Sequence, residues 1–230
     1  MSSKPRLWTK GFILDTLVNF LIYIIYYMLM VIIASEAIHS LHASMSEAGL
    51  ASGIFILGTL VARLFAGRSV ELYGRRKMLF AGILFYLATT FMYFGIHSMA
   101  MLYLVRCLNG IGYGIASTAT STIVSTMIPA ERRGEGINYY ALSMSLAAAI
   151  GPFIGMLMQQ IFPFEDIIYF CIAMIVVCLG AAAVMHVEEM ELTEEHRAAL
   201  KEIHIANFLE PKVTAISIVA FCVAVCYSSV

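Results

Sequence analysis

Long apolar stretches separated by short polar segments are the dominant pattern along this chain. Six of them cover residues 11–34, 46–67, 77–97, 100–127, 137–161 and 165–186, and a seventh runs from residue 213 to residue 230. An α-helix needs about 20 apolar residues to cross a hydrocarbon layer about 30 Å thick. The pattern therefore predicts an all-α integral membrane protein. A membrane β-barrel would instead show segments of about ten residues that alternate in polarity.

The composition agrees with a membrane location. Hydrophobic residues make up 61% of the 230-residue chain and charged residues only 13%, whereas a soluble domain carries about 25% charged residues. The first apolar run is too long for the core of a signal peptide and is interpreted as the first membrane helix. The five cysteines all lie in apolar runs without the spacing of metal ligands, so they are interpreted as small buried hydrophobic residues.

The basic residues occupy alternate connections between the apolar runs. They are Lys4, Arg6 and Lys10 before the first run, Arg68, Arg75, Arg76 and Lys77 after the second, Arg132 and Arg133 after the fourth, and Arg197, Lys201 and Lys212 after the sixth. The opposite connections, 35–45, 98–99 and 162–166, contain no Lys or Arg. The positive-inside rule then predicts a cytoplasmic N-terminus in the plasma membrane. We expect a six-helix bundle over 1–186, a cytoplasmic linker over 187–212 and the start of a second bundle over 213–230.

The connection between the second and third runs has an ordered arrangement of charges and glycines. In "GRSVELYGRRK", Glu71 lies between Gly67 and Gly74, and three consecutive bases follow. A loop that only sets topology needs positive charge but no acid at a fixed position. We expect Gly67 to permit close backbone approach and Gly74 to adopt a turn conformation that a side chain would resist.

This stretch resembles the helix 2–3 motif of the major facilitator superfamily, G-x-x-x-D-R-x-G-R-R/K. The matching residues are Gly67, Glu71, Gly74, Arg75, Arg76 and Lys77, with Arg63 one turn upstream. Glu71 stands where the family prefers Asp, and Leu72 stands where it prefers a base. The resemblance implies that this motif stabilises one conformational state by ion pairs across the cytoplasmic face.

Two further stretches resemble the same superfamily. "RCLNGIGYG" is similar to its helix 4 pattern, with Arg106, Asn109, Gly110, Gly112 and Gly114, and "AAAIGPFIG" is similar to its antiporter motif, with Gly151, Pro152 and Gly155. "IPAERRGEG" at 128–136 is similar to its helix 4–5 loop. The resemblance implies the N-terminal half of a proton-coupled drug or metabolite efflux transporter. Its substrate would bind between two six-helix halves, in a site that opens in turn to each side of the membrane.

Several polar residues inside the apolar runs are candidates for lining the substrate and proton cavity between the two halves. Asp15, Asn19, Tyr23 and Tyr27 follow one another at i, i+4 spacing and share a helix face. Apart from acids in the first two positions of a run, Asp15 is the only carboxylate in the first six apolar runs. It is therefore the first candidate for a proton site, although it lies close enough to the helix start for a structural role. Arg106 is expected to face the cavity with Asn109 and Tyr113, unless its side chain reaches the membrane surface.

Other kinds of site are not supported by the sequence. "GIGYGI" lacks the third glycine and the preceding strand of a dinucleotide site, and no Lys-Ser/Thr follows the glycines as in a nucleotide-binding loop. His39 and His42, with only Glu36 nearby, are too few to argue for a metal. We therefore expect no enzyme activity, cofactor, metal or nucleic-acid partner.

The expected partners are a small-molecule substrate, protons, the lipid bilayer and a second six-helix half, in the same chain or a second copy. The sequence is interpreted as a fragment of a protein about twice as long. Two alternatives stay open from the sequence: a metabolite uptake carrier of the same superfamily, and a non-transporting membrane partner or half-transporter subunit.

Overall fold

The computed structural model describes residues 5–187, 189 and 216–223. The chain divides into two compact units, Met1–Met190 and Glu191–Val230. In the second unit, residues 216–223 are helical with exposed side chains. Most of the predicted linker and of the predicted seventh helix lies outside the described residues, so the predicted domain boundaries after residue 186 stay predictions.

The first unit is built from six long helices. They are α1 (Lys10–Ser40), α2 (Met45–Tyr73), α3 (Arg75–Phe91), α4 (Met99–Met127), α5 (Arg133–Ile161) and α6 (Phe164–Val184), with short 3-10 turns at Met92–Gly95 and Ala130–Arg132. Each of the six, α3 and α5 together with their adjoining 3-10 turns, is long and apolar enough to cross a membrane. The predicted all-α membrane fold is therefore confirmed.

Several predicted helix boundaries were wrong. The first helix does not stop at residue 34 but continues to Ser40. The second helix does not stop at residue 67 but continues to Tyr73, and the fifth begins at Arg133 rather than at residue 137. The polar residues there are helical because charged side chains are tolerated at a helix end that projects beyond the apolar layer. The charged stretch after Gly67 is thus the last turns of α2, and Gly74 alone separates α2 from α3.

Local side-chain caps explain where three of the helices begin. The hydroxyl of Thr9 accepts a hydrogen bond from the backbone N–H of Phe12 at the start of α1. Ser44 and Glu47 form a reciprocal capping box at the start of α2, and the hydroxyl of Ser98 accepts the N–H of Met101 at the start of α4. Each cap satisfies backbone donors that the first helical turn leaves unpaired.

The helices place two chemically different ends on the bundle. One end, the basic end, carries the first residue of α1, the α2–α3 junction and the α4–α5 junction, where the Arg and Lys residues of the connections lie. The other end, the acidic end, carries the α1–α2, α3–α4 and α5–α6 connections. Its charged residues include Glu36, Glu47, Glu165 and Asp166, and its connections contain no Lys or Arg.

The packing follows an internal repeat of three helices. α2 packs along α4 in the same way that α5 packs along α1, while α1 contacts α4 and α3 contacts α6. This pattern relates α1–α3 to α4–α6, and the two units are inverted because α1 and α4 run in opposite directions. Inverted three-helix repeats are typical of the halves of secondary transporters.

Glycines bring α4 close to two of its neighbours. A Cβ on Gly110 would collide with the backbone carbonyl of Phe55 in α2, and one on Gly112 would lie 2.7 Å from the backbone nitrogen of Tyr86 in α3. A Cβ on Gly114 would lie 2.7 Å from the Cβ of Ala62 in α2. Close backbone contact of this kind stabilises helices in lipid, where burial from water is not available as a driving force.

Candidate functional site

A cluster of buried polar side chains joins α1, α4 and α5 in the part of the bundle nearer the basic end. It contains Asp15, Asn19, Thr120, Tyr140 and Ser143. The amide of Asn19 donates to the hydroxyl of Ser143 over 3.2 Å and accepts from Thr120 over 3.4 Å. The hydroxyl of Tyr140 donates to that of Thr120 over 3.1 Å. We name this set the α1–α4–α5 polar cluster.

Asp15 stands out within this cluster because its side chain is fully buried. Among the described residues, neither carboxyl oxygen of Asp15 has a hydrogen-bond partner, although Tyr140 is near enough to interact with it electrostatically. Burying a charge without a partner is costly. A carboxyl group in this place is therefore suited to carrying a proton that it can release when its surroundings change.

Further along α1, three tyrosines meet aromatic side chains from α2 and α4. The ring of Tyr26 stacks on Phe55 at 5.1 Å and on Tyr113 at 5.0 Å between ring centroids. Tyr23 contacts Tyr113 at 5.5 Å, and Tyr27 contacts Tyr26 at 4.7 Å. We call Tyr23, Tyr26, Tyr27, Phe55 and Tyr113 the aromatic cluster, and its three α1 tyrosines are only partly buried. Electron-rich ring faces of this kind attract apolar and cationic groups.

Arg106 lies inside the bundle rather than on an open surface. Its side chain is 0% exposed, its Nε donates to the carbonyl of Ala51 over 3.2 Å, and one terminal nitrogen donates to the hydroxyl of Tyr93 over 3.3 Å. Its guanidinium carbon lies 4.5 Å from the centroid of the Phe55 ring. The other terminal nitrogen, Nη2, has no hydrogen-bond partner in the described part of the chain.

Asn109 extends this network into α3. Its amide nitrogen donates to the hydroxyls of Thr89 and Thr90, each over 3.1 Å, and its oxygen accepts from Tyr93 over 3.4 Å. The expectation that Arg106 and Asn109 line an open cavity differs from this structure. Both are held between α2, α3 and α4 because buried polar groups in a membrane protein are turned toward partners in the bundle.

The candidate residues of the sequence therefore fall into separate groups. Asp15 and Asn19 meet in the α1–α4–α5 polar cluster, and Tyr23, Tyr27 and Tyr113 meet in the aromatic cluster. Sequence reasoning missed Phe55, Tyr93, Thr120, Tyr140 and Ser143. The run of Ser and Thr at 117–126 in α4 is the one signal in the sequence for part of this set, since hydroxyl groups so frequent in a membrane helix often bond to neighbouring helices.

In the helix 2–3 motif, the turn conformation predicted for Gly74 is confirmed. Gly74 has a φ of +96°, as a turn residue without a side chain allows. Gly67 lies on an exposed helix face, and no atom of the described residues lies within 4 Å of the position of a Cβ. The expectation of close backbone approach is therefore wrong for the described part of the chain. The side chains of Arg63, Glu71 and Lys77 are exposed, whereas that of Arg75 is buried.

Glu189, which follows α6 in the chain, caps the start of α3. Its two carboxylate oxygens accept the backbone N–H groups of Arg75 over 2.8 Å and of Arg76 over 3.0 Å. The guanidinium of Arg76 donates to the carbonyl of Ala183 near the end of α6 over 3.0 Å. The motif thus contacts the segment that follows α6.

In α5, the glycines of the third motif face α1. A Cβ on Gly151 would lie 2.8 Å from the Cβ of Tyr27, and one on Gly155 would lie 3.1 Å from the side chain of Met28. Pro152 lies inside α5, where a proline removes one backbone hydrogen bond. The motif therefore packs against the part of α1 that carries the aromatic cluster.

The bundle of inverted three-helix units, with polar and aromatic side chains gathered on its inner helices, defines the class of helical membrane transport proteins. Comparison with known families is consistent with this. Residues 16–230 match the model of the Major Facilitator Superfamily. The chain belongs to that superfamily, as its motifs predicted.

Similar proteins include several that are named as multidrug resistance proteins. The chain is 23% identical to Multidrug resistance protein 2 of Bacillus subtilis over 79% of this chain and 46% of that protein. It is 26% identical to Multidrug resistance protein 1 of Bacillus subtilis over 58% of this chain and 34% of that protein. An uncharacterised MFS-type transporter of Methanocaldococcus jannaschii is 28% identical over 57% of this chain and 34% of that protein. The chain spans less than half the length of these curated relatives.

Solved structures share the fold. A crystal structure of the peptide transporter POT in complex with alafosfalin has a TM-score of 0.70 and 16% identity, over 94% of this chain and 46% of that one. The human organic anion transporter TETRAN also has a TM-score of 0.70, with 18% identity over 90% of this chain and 54% of that one. At this identity the likeness concerns the fold.

Proposed function

We propose that this chain forms the N-terminal half of a proton-coupled efflux transporter that moves a small organic solute out of the cytoplasm by alternating access. The observation that carries the proposal is Asp15, a fully buried carboxyl group whose oxygens have no hydrogen-bond partner in the described residues. The names of the Bacillus subtilis relatives support efflux of drugs.

In this proposal, Asp15 couples proton binding to helix movement. It shares α1 with Asn19, and Asn19 bonds to Ser143 in α5 and Thr120 in α4. A change of charge on Asp15 alters the electrostatic environment of these contacts between three helices. In the proposed mechanism the proton leaves Asp15 in one state and returns in the other, which biases the equilibrium between inward-open and outward-open forms.

The solute binds at the aromatic cluster, between this half and a second six-helix half. Its tyrosines are only partly buried in this unit, so they can contact a molecule on that side. Tyrosine faces suit an apolar or cationic solute. Arg106 and Asn109 support the aromatic cluster from inside the bundle and do not contact the solute. Arg106 lies against Phe55, which stacks with Tyr26.

The basic end is proposed to face the cytoplasm in the plasma membrane, because Lys and Arg are retained on that side. The helix 2–3 motif would then lie at the cytoplasmic mouth. Glu71, with Arg75 and Arg76, is proposed to steady one state by ion pairs to the second half. The exposed position of Glu71 leaves its carboxylate accessible for such a contact.

Ethidium movement in everted membrane vesicles tests the proposal, with the complete natural protein and an imposed pH gradient, acidic inside. We expect the gradient to drive ethidium accumulation, and Asp15→Asn to reduce that accumulation about tenfold or more. Asp166→Asn, a change at an exposed acid of the acidic end, serves as the matched control. Gradient-driven accumulation that is equal in Asp15→Asn and in the unmodified protein would falsify the role of Asp15.

A further inference from the structure

A cavity of about 290 Å³ opens at the acidic end of the bundle, away from both clusters described above. It lies between the last turns of α1, the connection from α3 to α4, the start of α4 and the start of α6. Residues that line it include Glu36, Tyr93, Phe94, His97, Phe164 and Glu165. A second depression of about 420 Å³ shares Glu36 and Phe164 with it. The acidic end therefore has a recess of the size of a small-ligand site.

The walls of this cavity combine aromatic rings with carboxylates. The rings of Tyr93 and Phe164 lie 6.4 Å apart and nearly perpendicular to each other, at 78°. Glu36 belongs to the last turns of α1 and Glu165 to the first turn of α6. Two acids from different helices thus line a recess that also exposes aromatic surface.

The charge around the cavity is negative. The connections at this end contain no Lys or Arg, and Asp166 adds a third acid beside Glu165. In the described part of the chain no ion pair is found for Glu36 or Glu165. Arg106 does not line the cavity, and one of its donors is taken up by the hydroxyl of Tyr93. A cation that enters would meet unpaired carboxylates together with ring faces.

We propose that this cavity is a binding site for a small organic cation with an aromatic or alkyl body, such as a quaternary ammonium compound. The carboxylates of Glu36 and Glu165 would attract the charge, and the partly exposed rings of Phe94 and Phe164 would contact its body through cation–π and apolar interactions. The site is separate from the aromatic cluster and does not depend on proton coupling or on the direction of transport.

Direct binding of benzyltrimethylammonium tests the site. The complete natural protein in nanodiscs of zwitterionic lipid is titrated at pH 8, where an ordinary histidine is neutral, and binding is followed by saturation-transfer NMR against empty nanodiscs. We expect saturable binding that Glu36→Gln and Glu165→Gln each weaken about tenfold, because each removes one negative charge from the cavity wall. Asp166→Asn, which changes an acid that does not line the cavity, should leave the affinity unchanged.

A neutral compound of similar shape separates the contribution of charge to binding from that of apolar contact. Benzyl alcohol should bind weakly, and its binding should not respond to the glutamine substitutions. Phe164→Leu keeps apolar volume but removes a ring, so it should weaken the cation more than the alcohol. Absence of saturable cation binding overturns the proposal. So does saturable binding whose affinity and stoichiometry both glutamine substitutions leave unchanged, because the aromatic cluster would then account for all of it. Neither outcome bears on Asp15, so failure here is distinguishable from failure of the proposed transport mechanism.

Discussion

The carboxylate of Glu189 accepts a hydrogen bond from the backbone N–H of Arg75 over 2.8 Å, although the two residues are 114 positions apart in the sequence. Gly74 supplies no side-chain cap at the start of α3, so an acid from beyond α6 satisfies donors there. Negative charge at a helix N-terminus is also favoured by the helix dipole. This contact ties the segment after α6 to the junction of α2 and α3.

Replacement of Glu189 should therefore destabilise the bundle. We expect Glu189→Ala to cost about 1 kcal/mol, which is typical for removal of a helix N-terminal cap. The lower melting temperature is measured on the purified protein in detergent. Glu71→Ala provides the control, because the exposed side chain of Glu71 does not provide this cap, and its melting temperature should match that of the unmodified protein.

Glu71→Ala, the control for stability, should have an effect in a transport assay. Glu71→Ala is expected to lower ethidium accumulation in everted vesicles several-fold, with membrane insertion and abundance unchanged, because it removes the proposed contact to the second half. Transport at the normal rate in this variant would rule out the proposed role of Glu71 in stabilising one conformational state. The cap at α3 would still stand, since it rests on Glu189.

The two glycines of the helix 2–3 motif should respond in opposite ways to alanine. Gly74→Ala forces a side chain into a φ of +96°, at a cost of about 1–3 kcal/mol. Gly67→Ala adds a methyl group where no atom of the described residues lies within 4 Å, and alanine is favoured over glycine inside a helix by about 0.5–1 kcal/mol. Thermal unfolding of the two variants checks the contrast, and equal melting temperatures would contradict it.

Close contact between α2 and α4 gives a sharper test of packing. Gly110→Ala places a Cβ against the backbone carbonyl of Phe55, which cannot move without shifting a helix, so we expect a loss of about 1–3 kcal/mol and a lower yield of monodisperse protein. Gly180→Ala in α6 is the control, because in the part of the chain that the structure describes no atom lies within 4 Å of its Cβ position. Size-exclusion profiles and melting temperatures of the two variants provide the comparison.

The hydroxyl of Tyr93 links Arg106 to Asn109, so its removal should be costly. Tyr93→Phe leaves one Arg106 donor and the Asn109 oxygen without this partner, which we expect to cost about 1–2 kcal/mol. Tyr103→Phe removes a hydroxyl that bonds to the carbonyl of Glu47 over 3.4 Å at an exposed position, and it should have little effect. The difference is read from thermal unfolding, and indistinguishable variants would argue against a tightly coupled network.

Some parts of the site followed directly from spacing in the sequence. Asp15 and Asn19 are four positions apart in one helix, so their shared face is a property of the helix itself. The close approach at Gly110 and Gly114 follows in the same way from small residues at i and i+4. The partners of these residues lie on other helices, and hydropathy does not distinguish which face of a membrane helix meets which neighbour.

The sequence by itself determined six membrane helices, the separation of basic and acidic ends, and membership of the superfamily. These features depend on run length, on charge in the connections and on short motifs, all of which act locally along the chain. Only the tertiary structure decided that Glu189 caps α3, that Arg106 is enclosed by Phe55 and Tyr93, and that the Asp15 carboxylate has no hydrogen-bond partner in the described residues. Each of these depends on how helices distant in sequence pack together, because burial and hydrogen bonding are set by neighbours in space.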